Sequence, residues 1–180
     1  MVNKNNDLQN KITKESIFTS LMILMEKKNF NDISVTEIAK KAGVSRMAFY
    51  RNYNLTEDII IHHLDEFFEE YSKQILSREK INNYESACMY FAHFRKHERL
   101  LKNLNNSNMT YLILEKCTGF LYSIFQDVMF MRSCSQEEDR YCIEFLAGGF
   151  YKVLIEWAKN GMKESDVNMS KIVCKLIKEY

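Results

Sequence analysis

No proline occurs in the 180 residues of this chain, and glycine occurs only five times. Proline removes a backbone donor and clashes with the preceding turn, while glycine costs a helix interior about 1 kcal/mol against alanine. Without these breakers long helices run on, and Met, Leu, Lys and Glu, all good helix formers, are plentiful. The expected fold is all-α. Apolar residues at helical spacing divide the chain into about nine helices, grouped as a three-helix N-terminal head (residues 1–55) and a C-terminal helical bundle (residues 56–180). A chain of this length forms one or two small domains with a sizeable core.

The most informative stretch is SVTEIAKKAGVSRMAFYRNY, residues 34–53. Ser34 stands three residues before Glu37, the spacing of a capping box that satisfies the first free amides of a helix. Val35, Ile38, Ala39 and Ala42 then share one helical face. Gly43 can adopt positive φ without a Cβ clash and so closes that helix. Val44 can anchor the turn, and Ser45 can cap a second, short helix. Ala39 and Gly43 are small where the two helices must approach. This is the layout of a helix-turn-helix, whose second helix enters a DNA major groove. Phe49 and Tyr53, four apart, point inward, which leaves Arg46, Met47, Tyr50, Arg51 and Asn52 outward. Arginine pairs bidentately with guanine and asparagine with adenine, so Arg46, Arg51 and Asn52 are candidate base readers. Met47 and Ala48 can meet a thymine methyl.

Residues 33–42, the turn Gly43-Val44-Ser45, the segment Arg46-Met47-Ala48-Phe49-Tyr50-Arg51-Asn52-Tyr53 and the run Glu57-Asp58-Ile59-Ile60 together resemble the TetR family of transcriptional regulators. The close match covers residues 10–65; beyond it only the helical layout is similar. The resemblance implies that Tyr50 and Thr36 give their hydroxyls to DNA phosphates and that Ser45 belongs to the same interface. The family often carries a lysine near a phosphate at the start of the fourth helix, where this chain has Leu55-Thr56-Glu57-Asp58. Thr56 can still hydrogen-bond a phosphate, but without charge, so weaker electrostatic anchoring is expected. Asn54 or Thr56 has to supply that helix's cap.

Residues 1–9 read as a polar, flexible tail. Ile17, Phe18, Leu21, Leu24 and Met25 form the stripe of a first helix, which in the family braces the motif. After the motif, helices are expected at about 56–77, 84–97, 98–104, 110–132 and 137–160, with a final one to the C-terminus. Residues 103–108, NLNNSN, are a loop signal. Residues 110–132 are apolar nearly all round, which predicts a central buried helix in which Gly119 is costly unless space is needed. In the TetR family the helices that carry Tyr90, Phe91, Phe94, Tyr111, Gly119, Phe120, Tyr122, Phe125 and Tyr151 enclose a ligand pocket. That aromatic lining implies a small apolar or aromatic effector. The family's last two helices form a dimer's four-helix bundle, which makes Gly148, Gly149, Ile172 and Leu176 candidate dimer contacts. Packing inside one subunit is the alternative for the two glycines.

The net charge of +1 hides an asymmetry. Residues 1–55 carry nine Lys/Arg and five Asp/Glu, a net +4, and residues 56–180 carry sixteen and nineteen, a net −3. A basic head suits phosphates. No Gly-rich phosphate loop, nucleophile elbow or HExxH is present, so an enzyme is not expected. His93 and His97 share a helical face, but nothing at metal-ligand spacing completes a set; neither metal nor cofactor is expected. The five cysteines include no CxxC pair and suit free thiols in a reducing cytoplasm, with Cys134, in a polar loop, the likeliest to react. The polar N-terminus is no signal peptide, and no apolar run is long enough to cross a membrane. The expected protein is a cytoplasmic, homodimeric, sequence-specific DNA-binding regulator, a ligand-responsive repressor of a palindromic operator. The alternative is a non-DNA-binding adaptor on the same fold, against which Thr36, Tyr50 and Arg51 argue.

Overall fold

The computed structural model describes residues 2–78, 82–128 and 135–178, with the side chains of all these except 2–5, 124–128, 136 and 178. The described residues form nine α-helices and no strand: α1 (Val2–Met25), α2 (Val35–Ala42), α3 (Arg46–Tyr50), α4 (Thr56–Leu76), α5 (Asn83–Arg95), α6 (Glu98–Asn106), α7 (Tyr111–Val128), α8 (Gln136–Lys159) and α9 (Asp166–Lys178). A short 3-10 turn, Phe30–Asp32, lies between α1 and α2. Two compact units result, a head of Met1–Leu64 and a body of Asp65–Tyr180, which divide inside α4.

In the head, α1 packs on α2 and α2 on α3. Ile17, Leu21, Ile38, Phe49, Ile59, Ile60 and Leu64 are fully buried there, each worth about 1.5–3 kcal/mol of transfer from water. Ile33 joins them, and Phe30 is half-buried. The expected polar tail is instead helical from Val2. Nothing between Val2 and Ile17 breaks the helix that the buried half nucleates, so elongation carries it through polar residues.

In the body, α5 packs on α9, and α8 on both α7 and α6. Its core is aromatic: Phe67 meets Phe94 at 4.5 Å between ring centroids, Tyr90 meets Phe94 at 4.8 Å, and Phe91 meets Trp157 at 5.4 Å. His93 is buried in this cluster with Nε2 3.2 Å from the Phe67 carbonyl, and burial holds both His93 and His97 below the ordinary imidazole value. Among the described residues no group of three or more His, Cys, Asp and Glu could hold a metal ion. No helix among them is long and apolar enough to cross a membrane.

Two expectations for the body need correction. The asparagine-rich stretch after Leu101 is not a loop from residue 103, because α6 runs to Asn106. Asn103 is 1% exposed on the face that buries Leu100 and Leu104, and that burial overrides a turn-forming composition. The turn is confined to Ser107 and Asn108, the latter at φ 57°. Nor is α7 buried all round. Leu112, Ile113 and Cys117 face inward, but Tyr111, Glu115, Gly119 and Ser123, each four apart, are exposed. Over residues 111–123, α7 is covered on one side only.

The α8–α9 connection is held by Arg95. Its Nε hydrogen-bonds the Asp166 carboxylate, and its other guanidinium nitrogens donate to the carbonyls of Met162 (3.0 Å) and Glu164 (2.5 Å). The guanidinium also lies 4.7 Å over the Trp157 ring. This turn needs such support, because Gly161 and Met162 are consecutive residues at positive φ, 73° and 49°. Loss of a set of charge-assisted bonds is costly, so Arg95→Ala should destabilise the protein by about 2–3 kcal/mol in urea unfolding. A loss under about 0.5 kcal/mol, the range of ordinary surface changes, would show that the turn holds itself.

Candidate nucleic-acid interface

The geometry of residues 34–53 is set almost entirely by local hydrogen bonds. Ser34 Oγ accepts the Glu37 amide at 3.3 Å while Glu37 Oε2 accepts the Ser34 amide at 3.0 Å, which completes the capping box. Lys28 Nζ donates to Glu37 Oε1 at 2.6 Å. That bond first, and those from Ser34 after it, hold the Glu37 carboxyl well below the carboxylate range, at about 2. Gly43 takes the left-handed conformation at φ 68°, and the Val44 amide donates back to Ala39 at 3.0 Å. Ser45 Oγ then accepts the Ala48 amide at 3.0 Å and starts α3.

α3 is short, and its two faces differ as the spacing predicts. Phe49 is fully buried and Tyr53 nearly so, with ring centroids 5.8 Å apart. Arg46, Met47, Tyr50 and Arg51 are exposed, as are Ser45 and Thr36; Ala48 and Thr56 are half-buried. Among the described residues neither guanidinium has an ion pair or hydrogen-bond partner, and the Tyr50 hydroxyl has none. A rigid support thus presents two unpaired guanidiniums, a phenol and a thioether on one short helix and the residue that caps its end.

Two details differ from expectation. Asn52 does not point freely outward: it is half-buried, and its Nδ2 donates to the Ala48 carbonyl at 2.8 Å, which closes the end of α3. The cap of α4 comes from neither Asn54 nor Thr56. One oxygen of Asp58 accepts the amides of both Asn54 and Leu55 at 2.8 Å, which leaves the Thr56 hydroxyl out of the cap. An acid three residues into a helix can reach back to amides that a side chain at the start leaves unpaired.

A family model described as the C-terminal region of transcriptional regulators, of TetR type, matches residues 81–179. The chain belongs to the TetR family of transcriptional regulators. Solved structures share the fold over nearly the whole length. A TetR transcriptional regulator from Streptococcus agalactiae 2603V is 18% identical, with a TM-score of 0.67 over 97% of this chain and 98% of that one. The transcriptional regulator FadR from Bacillus subtilis, solved in complex with stearoyl-CoA, is 19% identical, with a TM-score of 0.59 over 90% of this chain and 96% of that one. The structure titled dihydroxyacetone kinase operon activator DhaS is 15% identical, with a TM-score of 0.64 over 93% and 94%. No curated protein sequence matches.

The residues that the TetR resemblance pointed to as pocket-lining fall into three places. Tyr90, Phe91 and Phe94 lie in the aromatic core. Gly119 and Phe120 line an open cavity of about 510 Å³ between α4 and α7, together with Phe68, Ser72, Glu115 and Lys116. Tyr111 is exposed; Tyr151 is half-buried and hydrogen-bonds Thr110 at 2.8 Å; Tyr122 is half-buried and donates to Glu144 at 3.2 Å. The Phe125 side chain lies outside the described residues, as does Cys134. The α8 and α9 candidates are on the surface of the chain: Ile172, Leu176 and Gly149 are exposed and Gly148 is half-buried. A Cβ on either of these glycines would meet nothing within 4 Å. Sequence reasoning missed the largest members of this surface, Tyr141 at 64% and Phe145 at 73% exposed. Their spacing of four, continued by Gly149, was the available signal.

Proposed function

We propose that the protein is a one-component transcriptional repressor that binds a palindromic operator as a homodimer and is released by a small apolar or aromatic effector. The reading rests above all on the unpaired Arg46, Arg51 and Tyr50 presented by α3. Free guanidiniums on a helix narrow enough for the major groove are the chemistry of guanine and phosphate recognition. Thr36, Ser45 and Thr56 supply uncharged hydroxyls for phosphates, and Met47 and Ala48 supply apolar contacts for thymine. Asn52 acts by holding the end of α3, and reads a base only if its bond to Ala48 opens.

A second copy suits the exposed face of α8 and α9. Phe145 is large, Gly149 one turn later is bare, and a twofold axis brings each against the other. Packing inside one subunit gives the glycines no such role, since among the described residues a Cβ on either would meet nothing within 4 Å. Two heads then read half-sites about one helical turn or more apart.

The direct test is to sequence genomic fragments retained by the purified protein and measure binding to the enriched site against salt. A palindromic site whose affinity falls steeply with salt is expected. An adaptor would retain no defined sequence.

The effector part of the reading rests on Phe68 and Phe120 beside the bare backbone of Gly119. An effector acts only by binding one of two head separations more tightly than the other. Gly119→Phe fills that space, so the variant should bind operator normally and lose its response to inducer. A normal response in a gel-shift titration, or a highly charged inducer, would count against this cavity.

A further inference from the structure

Rings from α4, α5 and α8 meet around Tyr90. Its ring centroid lies 6.3 Å from that of Tyr71, 5.2 Å from Phe91, 4.8 Å from Phe94 and 5.2 Å from Phe150. Aromatic rings pack edge to face without any hydrogen bond, but a phenol oxygen needs one. Tyr90 is 5% exposed, and among the described residues its hydroxyl has no hydrogen-bond partner. Tyr71 shows the contrast: it is 4% exposed, yet its hydroxyl donates to the Ser86 carbonyl at 3.1 Å. An orphaned buried hydroxyl is costly, and native proteins keep few of them. Phenylalanine would fill the same ring space, so packing gives no reason for the oxygen.

Two rings lead from Tyr90 to the open cavity at Gly119. Tyr71 lies 5.0 Å from Phe120, and Phe120 lies 5.7 Å from Phe68, between ring centroids. Phe68 and Phe120 both line the cavity. Phe120 is half-buried, and open space adjoins it at Gly119, where an added Cβ would meet nothing within 4 Å. The Phe120 ring therefore has room to turn aside. An apolar body that enters at Gly119 and takes its place lies against Tyr71, the neighbour of Tyr90.

The surroundings of Tyr90 also limit charge. Burial first, with Cys117 and Tyr71 beside it, holds its phenol well above the ordinary value, so the hydroxyl keeps its proton and can donate. The Cys117 thiol is pushed by burial up to about 12, and a neutral sulfur is only a weak partner. An ion among these rings would be buried without a counter-charge, which costs far more than burying a neutral group.

We propose that the effector is a neutral aromatic molecule with a carbonyl oxygen, a ketone, ester or amide, that accepts a hydrogen bond from Tyr90. The inference rests on the effector reading given above and names the chemical class of the ligand. The aromatic body fills the space between Phe68, Gly119 and Tyr71, and the carbonyl completes the one bond that Tyr90 lacks. Because that hydroxyl is already dry in the free protein, the bond costs only the desolvation of the ligand. It should be worth about tenfold in affinity.

The test uses the full-length protein and two probes of matched shape, 2-acetylnaphthalene and 2-isopropenylnaphthalene, in which a CH₂ group replaces the carbonyl oxygen. In equilibrium dialysis the ketone should bind the wild type about tenfold tighter than the hydrocarbon. Tyr90→Phe should erase that difference by weakening the ketone alone, whereas Tyr71→Phe should keep it. Without ligand, Tyr90→Phe should unfold at an unchanged or higher urea concentration, because the hydroxyl it removes bonds nothing. Equal binding of the two probes to the wild type, a ketone advantage that survives in Tyr90→Phe, or a clear fall in its urea midpoint overturns the proposal and leaves the effector cavity standing. Failure of both probes to bind the wild type, or undiminished binding of both to Gly119→Phe, overturns the cavity reading and the proposal with it.

Discussion

Phe145→Glu should leave a folded monomer that no longer holds a palindromic operator. The substitution puts a charge where a large apolar side chain stands 73% exposed on α8, so the isolated chain loses no packing. Buried across a twofold axis, the same carboxylate would face the apolar surface of the second copy, which costs several kcal/mol over the two symmetric sites. Leu176→Glu on α9 and Gly148→Leu on α8 test the same face by charge and by bulk. Operator affinity should fall about 10²–10⁴-fold, because each head then binds alone instead of as one of a linked pair. Light scattering and gel shift on the same samples check both halves of this result. A fully dimeric Phe145→Glu protein would move the interface elsewhere.

Arg51→Ala should weaken operator binding by about 1–3 kcal/mol and also relax the preference at one base position. Tyr50→Phe removes one hydroxyl and nothing else. It should weaken binding to every sequence by a similar factor, since phosphates carry no sequence information. Competition assays against single-base operator variants separate the two. If neither variant changes the preference profile, Arg51 meets the backbone, and base reading falls to Arg46. Both substitutions sit on the exposed face of α3, away from Phe49 and Tyr53, so the head should keep its thermal stability in each.

The head was readable because its bonds are local. Ser34 with Glu37, Gly43 with Ala39 and Lys40, and Ser45 with Ala48 each join residues three or four apart, so residue type and spacing already specify them. The inward pair Phe49 and Tyr53 was readable for the same reason, since one helical turn decides which side chains share a face. Where two local solutions compete, spacing does not choose. Asp58 caps α4 in place of Asn54 or Thr56, and Asn52 turns back on Ala48 instead of outward.

The sequence by itself determined an all-α chain with a helix-turn-helix between about residues 34 and 53, because missing breakers, capping pairs and apolar periodicity act within a few residues. Tertiary structure decided which helical faces are covered. α7 has the composition of a buried helix yet exposes a full stripe, α6 buries an asparagine, and Phe145 on α8 stays outside the core. It also brought Arg95 to the α8–α9 turn, where it bonds Asp166, 71 residues away in the chain. Burial depends on which distant segment arrives to cover a face, and that is a property of the packed chain.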